Sequence, residues 1–92
     1  MKPGKWTCGP HPGPPVVTIP FSLPENSPVR LEIYNILGQR VITLVDQQMR
    51  AGYHKRMWKG VNESGVELSS GVYFVKMRAG KFQAQRKIVL LK

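Results

Sequence analysis

The sequence predicts an all-β domain built as an antiparallel sandwich. Three observations carry this. Short runs rich in β-branched residues alternate apolar and polar side chains, the period of half-buried strands. Turn signals built on Gly, Pro, Asn and Ser recur roughly every ten residues. No helical periodicity reaches about ten residues, so the chain offers no helix of ordinary length.

Residues 1–15 stand apart. Pro3, Pro10, Pro12, Pro14 and Pro15 alternate with Gly4, Gly9 and Gly13. Proline removes backbone donors and glycine adds chain entropy, so this stretch reads as an extended lead-in or linker with polyproline character. The folded domain is expected over residues 16–92. Val16-Val17-Thr18-Ile19 opens it as a strand, and Phe21 and Leu23 continue its alternation. Pro20 cannot donate to a ladder, so that strand must lie at an edge or break. Pro24 to Pro28 is a turn, and Val29 to Ile33 alternates apolar and charged residues as a second strand. Asn35-Ile36-Leu37-Gly38 closes a hairpin, with Gly38 at positive φ beside a bulge, and Arg40 to Val45 returns. Asp46 to Gly52 reads as a polar connection holding at most one helical turn. Tyr53 to Trp58 is a further strand, Gly60 to Gly65 a glycine-bracketed loop, Val66-Glu67-Leu68 a short strand and Ser69-Ser70-Gly71 a tight turn. Val72 to Arg78 and Lys81 to Leu91 form the last pair, joined through Ala79-Gly80 with Gly80 left-handed. Phe82, Ala84, Ile88 and Leu90 share one register of the final strand. That makes about seven short strands.

Composition narrows function. The chain has 92 residues, enough for one small domain. No apolar run approaches the roughly 20 residues of a membrane-spanning helix, and the first residues lack the apolar segment of a secretory signal. One cysteine, Cys8, rules out an internal disulfide. The only histidines are His11 and His54 and the only aspartate is Asp46, with no nucleophile elbow, so no enzyme is expected. Cys8 and His11 form the one thiol–imidazole pair, in a Pro/Gly segment unsuited to holding catalytic geometry. Three Cys and His in total fall short of a zinc site. Asn62-Glu63-Ser64 could supply some calcium ligands, but Lys59 beside them opposes a cation. No metal or cofactor is expected.

Charge is the outlying property. Fourteen Lys and Arg against five Asp and Glu give +9. That balance favours an anionic surface, such as a polysaccharide, as a partner. Specific nucleic-acid binding is not expected, because Phe21, Phe74, Phe82 and Trp58 lie in apolar alternation and read as core rather than as base-stacking platforms. Trp58, at the end of a strand, reads as a core plug. Tyr73 reads as a corner tyrosine whose hydroxyl bonds backbone.

The stretch from Pro10 onward also resembles a known family. Pro10 to Pro15 with Thr18-Ile19-Pro20-Phe21-Ser22-Leu23-Pro24 looks like its opening motif. Val29-Arg30-Leu31-Glu32-Ile33-Tyr34-Asn35-Ile36-Leu37-Gly38-Gln39-Arg40-Val41 is similar to its most recognisable segment. Ala51-Gly52-Tyr53-His54, Trp58 with Gly60, Ser64-Gly65, Ser70-Gly71-Val72-Tyr73-Phe74 and Lys87 to Lys92 follow in order. The family is the type A C-terminal sorting domain of the bacterial type IX (Por) secretion system, which overlaps in sequence with the Ig-like domain of flagellar hook-capping proteins. The resemblance implies a seven-stranded antiparallel Ig-like β-sandwich behind a Pro/Gly-rich lead-in. It implies structural roles for Pro12, Phe21, Gly38, Gly52, Trp58, Gly60, Gly65, Gly71 and Tyr73. It also implies a non-catalytic C-terminal sorting signal carried by an N-terminal cargo domain missing from this chain. The signal is read by a secretion translocon and a sortase, in the periplasm on the way to the outer membrane, the cell surface or the medium. Recognition is expected at Lys87, Ile88, Val89, Leu90, Leu91 and Lys92, because a terminal edge strand offers backbone groups for β-augmentation. The alternative is a structural or adhesive Ig-like module of the hook-capping type, binding other subunits or anionic surfaces; a third reading is a basic nucleic-acid binder. Lys59 stands where the family commonly has an acidic residue, and Arg56 where it usually has an apolar one.

Overall fold

The computed structural model describes residues 16–91, so the lead-in with Pro12, Cys8 and His11, and also Lys92, lie outside the described residues. Six strands form: β1 Val17–Leu23, β2 Ser27–Tyr34, β3 Arg40–Met49, β4 Gly52–Trp58, β5 Gly71–Ala79 and β6 Phe82–Leu90. They make two antiparallel sheets, a small one of order β1-β4 and a large one of order β3-β2-β5-β6.

Side-chain alternation explains the packing. Along β2, Ser27, Val29, Leu31 and Ile33 are buried, while Pro28 and Arg30 are exposed and Glu32 and Tyr34 half-buried. On β5, Tyr73, Val75, Met77 and Ala79 are buried in the same way. Val17, Ile19 and Leu23 of β1 and Trp58 of β4 complete a single core with them. Each such aliphatic side chain contributes about 1.5–3 kcal/mol by leaving water. β1 runs unbroken through the exposed Pro20, as an outer strand permits.

Five expectations change. Val66-Glu67-Leu68 is not a seventh strand among the described residues; it contributes one bridge, Val61 to Glu67. Its segment belongs to a loop organised by Asn62, whose side-chain oxygen accepts from the Ser64 and Val66 amides at 2.9 and 3.0 Å. Asp46 to Gly52 is not a connection up to its end: β3 continues to Met49, pairing Asp46, Gln47 and Gln48 with Arg30, Val29 and Pro28. An outer strand needs only one buried face, so a polar run sustains it once a partner supplies the ladder. The final hairpin turns on Gly80-Lys81 rather than Ala79-Gly80, since Ala79 pairs with Phe82; Gly80 does sit at φ 59°. Phe82 keeps the register of Ile88 and Leu90 but is 54% exposed, because the two-stranded sheet does not reach over it. Phe74, also expected in the core, is half-buried on the opposite face of the sheet.

The two predicted hairpin and loop glycines with different surroundings give a paired test. Gly60 has φ 74°, and a Cβ there would lie 3.0 Å from both Leu90 methyls. Leu90 is fully buried, so its methyls would have to give by a few tenths of an ångström inside the core. Gly38 has φ 80° and open space around it. Gly38→Ala should therefore cost only the left-handed backbone term, about 1–2 kcal/mol. Gly60→Ala should cost about 1–3 kcal/mol more through overpacking. Denaturant midpoints at unchanged slope would show this; equal losses would refute the Leu90 contact as the cause.

Candidate functional site

Two surfaces of the large sheet carry the exposed chemistry. Strand register builds the first. Arg30 lies opposite Arg78 and Asp46, Glu32 opposite Lys76 and Thr43, and Tyr34 opposite Phe74 and Arg40. Phe74 in turn lies opposite Lys87. Cross-strand partners share a face, so Arg30, Arg40, Lys76, Arg78 and Lys87 stand on the outer face against two carboxylates. One of these, Glu32, is already engaged. Arg30 Nε is 3.4 Å away, Arg40 Nη1 3.9 Å, and the Tyr34 hydroxyl donates to it at 3.1 Å. Lys76 Nζ sits 4.4 Å over the Tyr34 ring centre. The arginines are half exposed, so these pairs organise the face more than they stabilise it. A shallow polar depression of about 300 Å³ lies among Arg30, Lys76, Arg78, Gln83 and Gln85.

The second surface is a groove of about 630 Å³ between the sheets, where the small sheet stops short. Its floor is Leu31 and Met77, and Phe82, Ala84 and Arg86 of β6 form one wall, with Tyr53 and Lys55 of β4 on another. Phe21 is stacked on His54 at 5.4 Å, and His54 Nε2 lies 2.7 Å from the Arg50 carbonyl oxygen.

The expected recognition strand is divided by this geometry. β6 is an outer strand of the large sheet. Lys87 is exposed and Val89 half-buried, but Ile88 and Leu90 are core, 1% and 0% exposed. Leu91 follows the strand, half exposed. The motif residues serve architecture. Gly38, Gly52, Gly60, Gly65 and Gly71 all have positive φ. Phe21 packs against the core. Trp58 is 1% exposed, meets Tyr73 edge-on at 5.1 Å and donates its indole N–H to Val61 O at 2.9 Å. Tyr73 is a corner tyrosine, donating to Ser69 O at 2.8 Å. Arg56 faces inward opposite Ile19, half-buried, and its Nη1 donates to the Lys55 carbonyl. The loop oxygens weighed for calcium accept from backbone amides: Asn62 as above, and Glu63 Oε1 from Thr43 N at 2.9 Å. Among the described residues no cluster of three or more His, Cys, Asp and Glu is arranged to hold a metal. The Glu32–Tyr34–Lys76 grouping escaped sequence reading because Lys76 reaches it only through strand pairing.

With this geometry in view, a model of the FlgD Ig-like domain family matches residues 13–82. The chain belongs to the FlgD Ig-like domain family. The crystal structure of FlgD from P. aeruginosa superposes with a TM-score of 0.68 at 25% identity, over 80% of this chain and 61% of that one. This chain therefore spans under two thirds of that protein's crystallised length. No curated protein matches. These findings back the hook-capping half of the sequence resemblance and bring no support to the type IX sorting half.

Burial holds the Tyr34 phenol above its ordinary pKa of 10.0, and the hydrogen bond and charge of Glu32 add to the rise, against Arg40 and Arg30. A raised folded pKa favours the protonated phenol in the fold. Its contribution is complete below pH 10.0 and is lost as pH rises through the folded value, because the unfolded chain releases its proton first. In alkaline absorbance titration, the difference between wild type and Tyr34→Phe should appear above pH 10.0, and Glu32→Gln should move it down. A difference centred on the ordinary value would refute the burial account.

Proposed function

We propose that this domain is a non-catalytic, structural Ig-like module of the hook-capping type, which assembles with other protein subunits and rests its basic outer face on anionic surfaces. The family match over residues 13–82 carries the reading. The outer face supports its second part, because Arg30, Arg78, Lys76 and Lys87 lie in adjacent cross-strand positions with only Glu32 and Asp46 to offset the five cations there. Flat, rigid sheet faces of one sign attract polyanions by field and counterion release, without a cavity.

One specific observation favours a second reading. β6 is an outer strand, as a C-terminal sorting signal read by a translocon and removed by a sortase would need. Deleting Lys87–Lys92 cannot test it cleanly, since Ile88 and Leu90 are core and their loss would unfold the domain. The two readings separate at the mature product. Immunoblotting fractionated source cells and medium with an antibody to residues 25–92 should find the module retained in an extracellular or envelope-bound protein. Loss of the epitope from released protein would establish sorting and cleavage instead.

The anionic-surface contact has its own test. Arg30→Gln with Arg78→Gln should elute from immobilised heparin at clearly lower salt than wild type, with the folded domain intact by circular dichroism. Removal of Lys55 and Lys59 instead should matter less. Equal shifts from both pairs would mean that net charge, not the outer face, governs binding.

A further inference from the structure

The outer face of the large sheet sets two arginines directly against each other. Arg30 of β2 and Arg78 of β5 are cross-strand partners, and both are exposed. Like charges directly opposite destabilise a sheet. Neither belongs to the core, so packing does not require them there. An anion seated between two guanidinium groups turns the repulsion into attraction, with donors on both sides.

Strand register surrounds this pair with a different chemistry. Gln83 of β6 lies opposite Arg78. Two residues along, Glu32, Lys76 and Gln85 form a second row across the same three strands. These six residues line the shallow polar depression of about 300 Å³. Strands about 4.8 Å apart and a two-residue step of about 6.6 Å give them a footprint of about 10 by 7 Å, enough for one sugar ring with its substituents. The carboxylates limit which anion fits. Glu32 lines the depression, with Arg30 Nε at 3.4 Å and the Tyr34 hydroxyl donating to it at 3.1 Å. Asp46 stands opposite Arg30 on β3. A ligand that is all anion is repelled by both. A ligand that also carries hydroxyl groups donates to Glu32 instead. The carboxamides of Gln83 and Gln85 offer hydroxyls both donors and acceptors, and a guanidinium carries five N–H donors, more than one contact at Nε uses. Lys76 Nζ lies 4.4 Å over the Tyr34 ring centre, so that ring is not an open platform for stacking a base.

We propose that this depression is a subsite for a carboxylate-bearing sugar residue of an acidic polysaccharide. The carboxylate lies between Arg30 and Arg78, and the ring hydroxyls reach Glu32, Lys76, Gln83 and Gln85. The proposal rests on the reading of the outer face as an anion-binding surface and names the sugar chemistry that it selects. A shallow site binds one sugar weakly; repetition along the polymer and across assembled domains supplies avidity.

The test uses the full chain, isotope-labelled, titrated at constant ionic strength with trigalacturonate and with trimannuronate, which differ in hydroxyl stereochemistry. At least one should perturb the amides of Arg30, Arg78, Gln83 and Gln85 saturably. Its methyl ester, which keeps the hydroxyls without the charge, should bind about tenfold more weakly or worse. So should tricarballylate, which has the charge without the hydroxyls. Gln83→Ala with Gln85→Ala should weaken sugar binding about fivefold or more. Heparin elution and the denaturation midpoint should barely move, since neither glutamine carries charge or belongs to the core. The proposal is overturned if neither trisaccharide binds saturably, if tricarballylate binds as tightly as the sugar, or if the glutamine variant binds unchanged. It is equally overturned if the perturbations fall on Lys55 and Lys59, or if a short oligothymidylate binds these residues more tightly than either sugar. Failure here leaves the heparin result standing, because a diffuse basic face retards heparin without a sugar site. Equal heparin shifts from the two cation pairs count against the face as a whole and leave the trisaccharide result to stand or fall by itself.

Discussion

Trp58 ends β4 in the small sheet, yet its ring lies edge-on against Tyr73 of the large sheet at 5.1 Å and 71°. Its indole N–H is satisfied by the Val61 carbonyl in the loop that follows, and the Tyr73 hydroxyl by the Ser69 carbonyl at the end of the same loop. Gly60 is buried between them against Leu90 of β6. One aromatic pair thus joins both sheets and the crossing between them. Edge-to-face pairs add about 0.5–1.5 kcal/mol beyond burial. Their larger effect here is to set the separation at which the remaining core side chains meet. The other buried side chains of the core are aliphatic or methionine and have no hydrogen bond to complete, whereas the indole and the phenol each have one.

That closure lies at one end of the sandwich, and it explains why the other end stays open. Val17 pairs with Trp58, whereas Phe21, Ser22 and Leu23 pair with His54, Tyr53 and Gly52 far from it. Two strands cannot cover four. Near Trp58 the inner face of β6 carries Ile88 and Leu90, both buried; toward Phe82 the same face carries Arg86 and Ala84, and the small sheet no longer reaches it. The groove is the geometric remainder of a two-on-four arrangement.

The opposite side of the large sheet carries a different chemistry. There the cations are held in rows by strand register rather than scattered, and Glu32 gathers Arg30, Arg40 and Tyr34 about itself without neutralising the face. An FlgD-type Ig-like domain of this charge thus presents a polar face outward and an apolar cleft at its edge.

The β periods of β1, β2 and β5, the edge placement of Pro20, the positive φ of Gly38 and Gly80, the burial of Trp58 and the Tyr73 hydroxyl contact were all legible from residues alone. Each depends on local backbone sterics or on the need of a large side chain for cover, which neighbours in sequence already reveal. The length of β3 through Asp46, Gln47 and Gln48, the loss of Val66-Glu67-Leu68 to a loop, the exposure of Phe82 and the gathering of Glu32, Tyr34 and Lys76 were not. Those outcomes depend on which strand lies alongside and where the facing sheet ends. A polar run becomes strand when Val29 and Arg30 offer it a ladder, and an apolar residue in perfect register stays wet when nothing is placed above it. Local chemistry determined which residues can face inward; only the pairing of distant strands decided which of them find cover.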